Sequence, residues 1–223
     1  MRIIIILLFC SSLILISCKE NSLESTKLAS LIPLTVGNQW IFKETYFSTE
    51  NPFPYIDTLT ITIFNSAIVS DQTWYNRKIT SNKIFYDPVE NYGWWSYSVT
   101  REGIYSCILY KNSMSTSILH YKHPSKVGDT YGSPFFFATN DNITFTNTFN
   151  ITTVVLIDTQ IVVPAGIFHC VQYRTSPHGD TTFSIFDEYI SPNYGWIKSE
   201  YISKNYGLVS RYVREAVQIN IKE

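Results

Sequence analysis

Hydrophobic positions come in short runs along this chain, and most of them alternate with polar ones. Thr58 to Phe64 reads Thr-Leu-Thr-Ile-Thr-Ile-Phe. This period of two marks a strand with one buried and one wet face. Similar runs cover Trp40 to Tyr46, Thr73 to Thr80, Trp94 to Thr100, Ile104 to Tyr110 and the shorter Thr116 to Tyr121. Later runs cover Thr152 to Val163, Ile167 to Arg174, Thr181 to Tyr189, Gly195 to Ile202 and Leu208 to Val217. No segment longer than a turn shows a helical period. Turn signals separate the runs. Asp71-Gln72 and Arg101-Glu102-Gly103 each read as a hairpin connection. In Val163-Pro164-Ala165-Gly166, proline presets φ and glycine supplies a positive φ. Asn-Tyr-Gly occurs three times, at residues 91, 193 and 205, and Asn and Gly both tolerate left-handed backbone. The pattern predicts an all-β domain of one curved antiparallel sheet, a half-open barrel or a sandwich, in mostly up-and-down order. Two irregular stretches are expected, Ser48 to Tyr55 with its two prolines and His123 to Asn142. Pro33-x-x-Val36-Gly37-Asn38 is echoed by Pro124-x-x-Val127-Gly128-Asp129, which reads as one turn type used twice rather than as a duplication.

The N-terminus follows a different pattern. Met1-Arg2 is a short basic start, and Ile3 to Phe9 is unbroken apolar sequence, resumed at Leu13 to Ile16. That is a secretory signal rather than a fold element. It is too short and interrupted to cross a bilayer, which takes roughly 20 apolar residues. Leu15-Ile16-Ser17-Cys18 resembles the lipobox of bacterial lipoproteins. The resemblance implies cleavage between Ser17 and Cys18 and a diacylglycerol thioether on Cys18, with a further acyl chain such as palmitate on the new amine. Several acyl chains together give stable anchoring where one does not. Polar residues from Lys19 to Leu31 read as a tether. The chain thus divides into a signal peptide (1–17), a lipidated N-terminus with tether (18–31) and one β domain (32–223). The expected location is the cell envelope. Lys19, where an aspartate would resemble an inner-membrane retention signal, points to the outer membrane if the host is Gram-negative.

Composition narrows the function classes. The formal net charge is −1, and Lys and Arg are scattered, so no nucleic-acid partner is expected. About 190 residues after the tether suffice for a core without disulfides. Of four cysteines, Cys10 leaves with the signal and Cys18 takes the lipid. Cys107 and Cys170 are candidates for a disulfide in an oxidising envelope, or two separate buried thiols.

Three further motifs carry a second resemblance. Ile32-Pro33-Leu34-Thr35-Val36-Gly37-Asn38-Gln39-Trp40 resembles the P-L-x-x-G-N-x-W opening of many bacterial envelope lipoproteins of unknown function. Val163-Pro164-Ala165-Gly166-Ile167-Phe168-His169-Cys170 resembles their V-P-A-G-x-F hairpin. Tyr189 to Lys198 resembles their Y-x-A-P-G-x-G-x-V-K segment, with Asn193-Tyr194 departing from it. The resemblance implies a half-open β shell similar in shape to the lipoprotein carriers of the Lol system, and no reaction.

A search for chemistry finds no catalytic constellation. His120 and His123 lie three apart in a strand-to-loop segment with no carboxylate or thiol near, so no metal is expected there. His169 and Cys170, and likewise Asp187 and Glu188, are strand neighbours that point to opposite faces. His178-Gly179-Asp180 reads as a polar turn. No Gly-x-Ser-x-Gly, phosphate loop or His-Glu-x-x-His occurs. The chain is therefore read as no enzyme and as needing no cofactor. Trp74, Trp94, Trp95 and Trp196 are the candidate ligand-lining aromatics. They suit an apolar groove for a lipid, or a stacking surface for a glycan, or simply the core of the sheet. Besides the membrane, the candidate partners are a lipid, a glycan or an envelope protein. A deep apolar concavity would favour lipid, and an exposed aromatic row would favour glycan.

Overall fold

The computed structural model describes residues 30–81, 94–110, 113–114, 117–139, 142–177, 184–205 and 208–222. The signal sequence, Ser17, Cys18 and the tether up to residue 29 lie outside them, as do Asn91-Tyr92-Gly93 and His178-Gly179-Asp180.

One antiparallel sheet forms a nearly closed barrel, with no helix among the described residues. Its strands are β1 (Gln39–Ser48), β2 (Asn51–Val69), β3 (Gln72–Ser81), β4 (Trp94–Val99), β5 (Gly103–Tyr110), β6 (Ser113–Met114) and β7 (Ile118–Lys122). The second half holds β8 (Thr130–Thr139), β9 (Asn142–Val163), β10 (Gly166–Pro177), β11 (Ser184–Ser191), β12 (Gly195–Asn205) and β13 (Leu208–Asn220). The strands follow the order β6-β5-β4-β3-β2-β1-β13-β12-β11-β10-β9-β8, with β7 added on β5. Neighbours in space are thus neighbours in sequence, except where β7 returns to β5 and where β1 meets β13 and joins the two halves. Side chains cross the seam between β7 and β8, where the Tyr131 hydroxyl donates to the carbonyl of His120 at 2.8 Å. Lys122 also pairs with Asp129 just before β8 at 3.0 Å.

Strand alternation decides what lies inside. Leu59, Ile61 and Ile63, the apolar members of the Thr/Ile run, are at most 1% exposed. They join Trp40, Phe42, Val154, Tyr173, Ile190 and Ile197 in the main core. One end of the barrel is plugged from two sides. Leu31, Ile32 and Leu34 are buried across it, and the amide of Asn193 donates to Ser30 O at 2.8 Å. Leu31 therefore belongs to the domain and not to the tether. From the other side comes the β9–β10 hairpin. β12 pairs with β13 only as far as Lys198–Glu215, which leaves the next carbonyl of β13 available. The Ala165 amide at the hairpin tip takes it, donating to Ala216 O at 3.0 Å.

Both stretches expected to be irregular are largely strand. β2 already starts at Asn51, and β8 occupies Thr130–Thr139. The prolines misled. Pro52 and Pro54 lie before β2 gains β3 as a partner at Leu59, and Pro134 lies on β8 at the end of the sheet. A proline on a sheet edge forfeits no ladder bond. The turns follow their chemistry more closely. Gly166 has φ 140° and Asn193 has φ 68°, as Pro-Ala-Gly and Asn-Tyr-Gly require, while the first hairpin turns on Ser70 and Asp71, one residue earlier than expected.

Candidate binding face

The tryptophans sit in unlike places. Trp196 is buried in the main core and donates its indole N–H to the Tyr121 hydroxyl at 3.1 Å. Trp40 meets it edge to face, with centroids 5.0 Å apart. Trp74 packs outside the main core, in a small cluster with Cys107, Val69 and Tyr105. Trp95 is half-buried on the inner face, under the Arg77 guanidinium. Nothing is described for the Trp94 side chain. No common aromatic surface arises from Trp74, Trp95 and Trp196. Cys107 and Cys170 are free thiols in two different clusters, and burial pushes both up to about 12. His169 points outward to Asp158 at 2.7 Å while Cys170 points in, the divergence that strand geometry requires.

The register assembles a different surface. Tyr55 of β2 stands opposite Tyr46 of β1, which stands opposite Tyr212 of β13, then Tyr201 of β12 and Phe186 of β11. Each lies two residues along its strand from an inner-face residue, Asp57, Glu44, Arg214, Ser199 and Glu188 in turn, so the row is on the concave side. At strand spacings of about 4.8 Å, five adjacent strands carry it across about 19 Å. Tyr46, Tyr55 and Tyr201 are 42, 36 and 37% exposed. Phe186 and Tyr201 stand edge to face at 6.4 Å.

Next to this row, one step toward the plug, runs a polar one. Asp57, Glu44, Arg214, Ser199, Glu188 and Tyr173 are successive cross-strand partners. Arg214 pairs with Glu44 at 3.2 Å and lies over the rings of Phe42 and Tyr212. Its Nε and Glu44 Oε2 are shut off from solvent and lack hydrogen-bond partners. Asp57 accepts from the Ser81 hydroxyl and from the Thr58 amide.

Across the seam, a bulge on β7 adds two more groups. β5 pairs Ile104 with Tyr121 but Tyr105 with Leu119, which leaves His120 as the extra residue. His120 and Tyr121 therefore turn to the same side, with ring centroids 4.4 Å apart. The Tyr121 hydroxyl donates to Glu188 Oε1 at 2.7 Å. Burial pushes the Glu188 carboxyl up to about 7, against the hydrogen bond from Tyr121 and the charges of Arg77 and Arg214. Burial likewise lowers His120 to about 3, helped by Arg77. Both side chains nonetheless keep accessible surface, although protein surrounds them. That surface faces the interior of the barrel. The interior therefore offers an aromatic row, a neutral imidazole and a carboxyl poised near neutrality. Among the described residues no cluster of three or more His, Cys, Asp or Glu is placed to hold a metal.

A second concavity, of about 710 Å³, opens between the plug and the β2–β3 hairpin. Among the described residues its only charged groups are Asp71 and Lys222, and turn residues share its lining with residues of β3 and β4.

The chain matches no protein-family model and no curated protein. It is similar to two solved structures. One is a "putative lipoprotein" from Parabacteroides distasonis, at 13% identity and TM-score 0.49, over 86% of this chain and 99% of that one. The other is a "putative exported protein" with a YmcC-like fold from Bacteroides fragilis, at 12% identity and TM-score 0.43, over 86% and 100%.

Sequence reasoning missed Tyr46, Tyr55, Tyr201 and Tyr212, and also Arg77, Tyr121, Glu188 and Arg214. The alternation around Asp187-Glu188 did separate the two carboxylates. Asp187 binds Arg174 at 2.8 Å on the outer side, and Glu188 goes inside. Nothing in the spacing could have placed the tyrosines in one row, because they come from four strands whose mutual register no local pattern shows.

Proposed function

We propose that the protein is a lipid-anchored protein of the cell envelope that binds glycans on its concave face and does not transform them. The aromatic row carries this reading. Sugar rings stack on aromatic faces through their C–H surfaces while their hydroxyls need hydrogen-bond partners. Tyr55, Tyr46, Tyr212, Tyr201 and Phe186 supply the faces. Glu44, Asp57, Arg214 and Glu188 supply the partners one step deeper.

An acyl chain fits this surface less well. Each methylene gains about 0.8 kcal/mol on burial. Stripping water from several inner charges costs several kcal/mol per ion. Hydrolysis also fits poorly. Glycoside hydrolases flank the scissile bond with two carboxyl groups about 5–9.5 Å apart. Glu188 and Glu44 are separated by β12 and β13, about 14 Å around the sheet. The charges that act on Glu188 are those of Arg77 and Arg214, with no second carboxylate among them.

Anchoring rests on the basic start, the apolar core and Leu15-Ile16-Ser17-Cys18, with Lys19 favouring the outer membrane of a Gram-negative host. Labelled palmitate is expected in the wild type and absent from Cys18→Ala; label retained in the variant would overturn the anchor. For the ligand, the detergent-solubilised full chain is put on a glycan array. Binding that falls by at least about tenfold in Tyr46→Ala/Tyr212→Ala supports the reading, on the scale of one to two lost stacking contacts. An array with no hits, alongside dye displacement by fatty acids, would overturn it in favour of a lipid ligand.

A further inference from the structure

The arginines of the strands differ in one respect. Arg174 pairs with Asp187, Arg211 with Glu200 and Arg214 with Glu44. Arg101, in the β4–β5 turn, is exposed to water. Arg77, on the inner face of β3, forms no ion pair and no hydrogen bond among the described residues, and its Nε is shut off from solvent. It lies over two rings of the neighbouring strand, 5.3 Å from the Tyr97 centroid and 5.9 Å from that of Trp95. Tyr97 is itself buried in the core, so one wall of this seat is fixed.

Stacking of this kind accommodates the flat faces of a guanidinium and orients it. It does not satisfy the N–H donors around the guanidinium edge, five in all, arranged as a rigid fork. A half-buried guanidinium with its Nε shut off from water and no ion pair is left incompletely satisfied, and a carboxylate matches the fork with two parallel hydrogen bonds. The inner-face carboxylates have other engagements. Glu44 pairs with Arg214, and Asp57 accepts from Ser81 and Thr58. Glu188 accepts from Tyr121, and burial favours its neutral form. Arg77 acts on Glu188 and His120 through its field alone.

We propose that the concave face selects acidic glycans, and that the Arg77 guanidinium, seated on Trp95 and Tyr97, receives their carboxylate. This rests on the glycan reading above and adds the charge of the ligand to it. A sulfate ester presents a related anion, but with tetrahedral oxygens in place of a planar pair.

The test is calorimetric titration of the detergent-solubilised full chain with three probes: an oligogalacturonide, its methyl ester and a sulfated galactan oligomer. The acid is expected to bind about tenfold or more tighter than the ester, the scale of one charged hydrogen-bonding group. Arg77→Gln should remove that preference and bring the affinity ratio of acid to ester to about one, the expected result if the guanidinium is what reads the carboxylate. Arg77→Lys should restore part of it, because the charge returns without the fork. Equal binding of acid and ester by the wild type overturns the proposal and leaves the glycan reading standing. Tightest binding of the sulfated oligomer overturns the carboxylate assignment. Binding of none of the three, together with an empty glycan array, overturns both readings. The comparison of acid with ester uses only wild-type protein, so it holds even if an Arg77 variant fails to fold.

Discussion

Replacing Glu188 by Gln should make the protein more stable, and only above a certain pH. The carboxyl has an ordinary value of 4.5 and is pushed up to about 7 in the fold, chiefly by burial. Its raised value means that the folded state holds the proton more tightly than the unfolded chain. The contribution of Glu188 to stability is therefore full below about pH 4.5 and is lost as pH rises through about 7. Each tenfold change in proton affinity is about 1.4 kcal/mol, so the loss at pH 8 is about 3 kcal/mol. That figure is an upper bound, since Glu188 keeps some accessible surface and water screens its charge. Gln cannot ionise, and its carbonyl still accepts from Tyr121. Urea unfolding followed by tryptophan fluorescence, from pH 4 to pH 9, should show no difference at pH 4 and a variant up to about 3 kcal/mol more stable at pH 8. His120 gives an internal control of opposite sign. It is lowered from 6.5 to about 3, so its contribution is present above pH 6.5 and is lost as pH falls through about 3. Between about pH 4.5 and 6.5 the two slopes oppose each other in the wild type. Glu188→Gln should unmask the histidine slope there. A variant whose stability differs from wild type by the same amount at every pH, or which is less stable at pH 8, would refute the reasoning.

Other substitutions and reagents probe different parts of the account. Gly195→Ala should destabilise by about 1–3 kcal/mol in thermal or urea unfolding, because its φ is 78° and a Cβ would lie 3.0 Å from Trp40 and 3.2 Å from Ile32. Tyr121→Phe removes the hydrogen bond that favours the Glu188 carboxylate, so the upper end of the pH range over which stability falls should move upward in the same titration, its lower end staying near 4.5. Cys107 and Cys170 should resist a thiol reagent in the folded protein and react once it is denatured; a disulfide between them in non-reducing mass spectrometry would contradict their placement in separate clusters.

Much of the fold is written locally. The Thr/Ile alternation of β2 fixes which side chains go inward, and the buried Leu59, Ile61 and Ile63 follow it residue by residue. Pro164-Ala165-Gly166 and Asn193-Tyr194-Gly195 place their turns for reasons intrinsic to proline, asparagine and glycine. Errors arose where a residue's meaning depends on its position in the sheet. Pro52, Pro54 and Pro134 look like breakers until they are known to lie on edges. The binding face was less legible still. Tryptophans draw attention by size, yet Trp74 and Trp196 fill clusters. Tyr46 and Tyr212 lie 166 residues apart and face each other only because β1 closes on β13. Similarly, His120 joins Tyr121 on one side through a bulge that no turn residue announces. Long-range register carries the site, and a single sequence does not display it.

The central claim is that the concave tyrosine row is where a glycan lies. Tyrosine rings labelled with carbon-13 report this directly by NMR as an array-selected oligosaccharide is titrated into the full chain in detergent. The ring signals of Tyr46, Tyr55, Tyr201 and Tyr212 should shift together and saturate with one affinity, while Tyr105 and Tyr194, away from the row, should not move. Saturable binding that leaves the four row tyrosines unmoved would contradict the account.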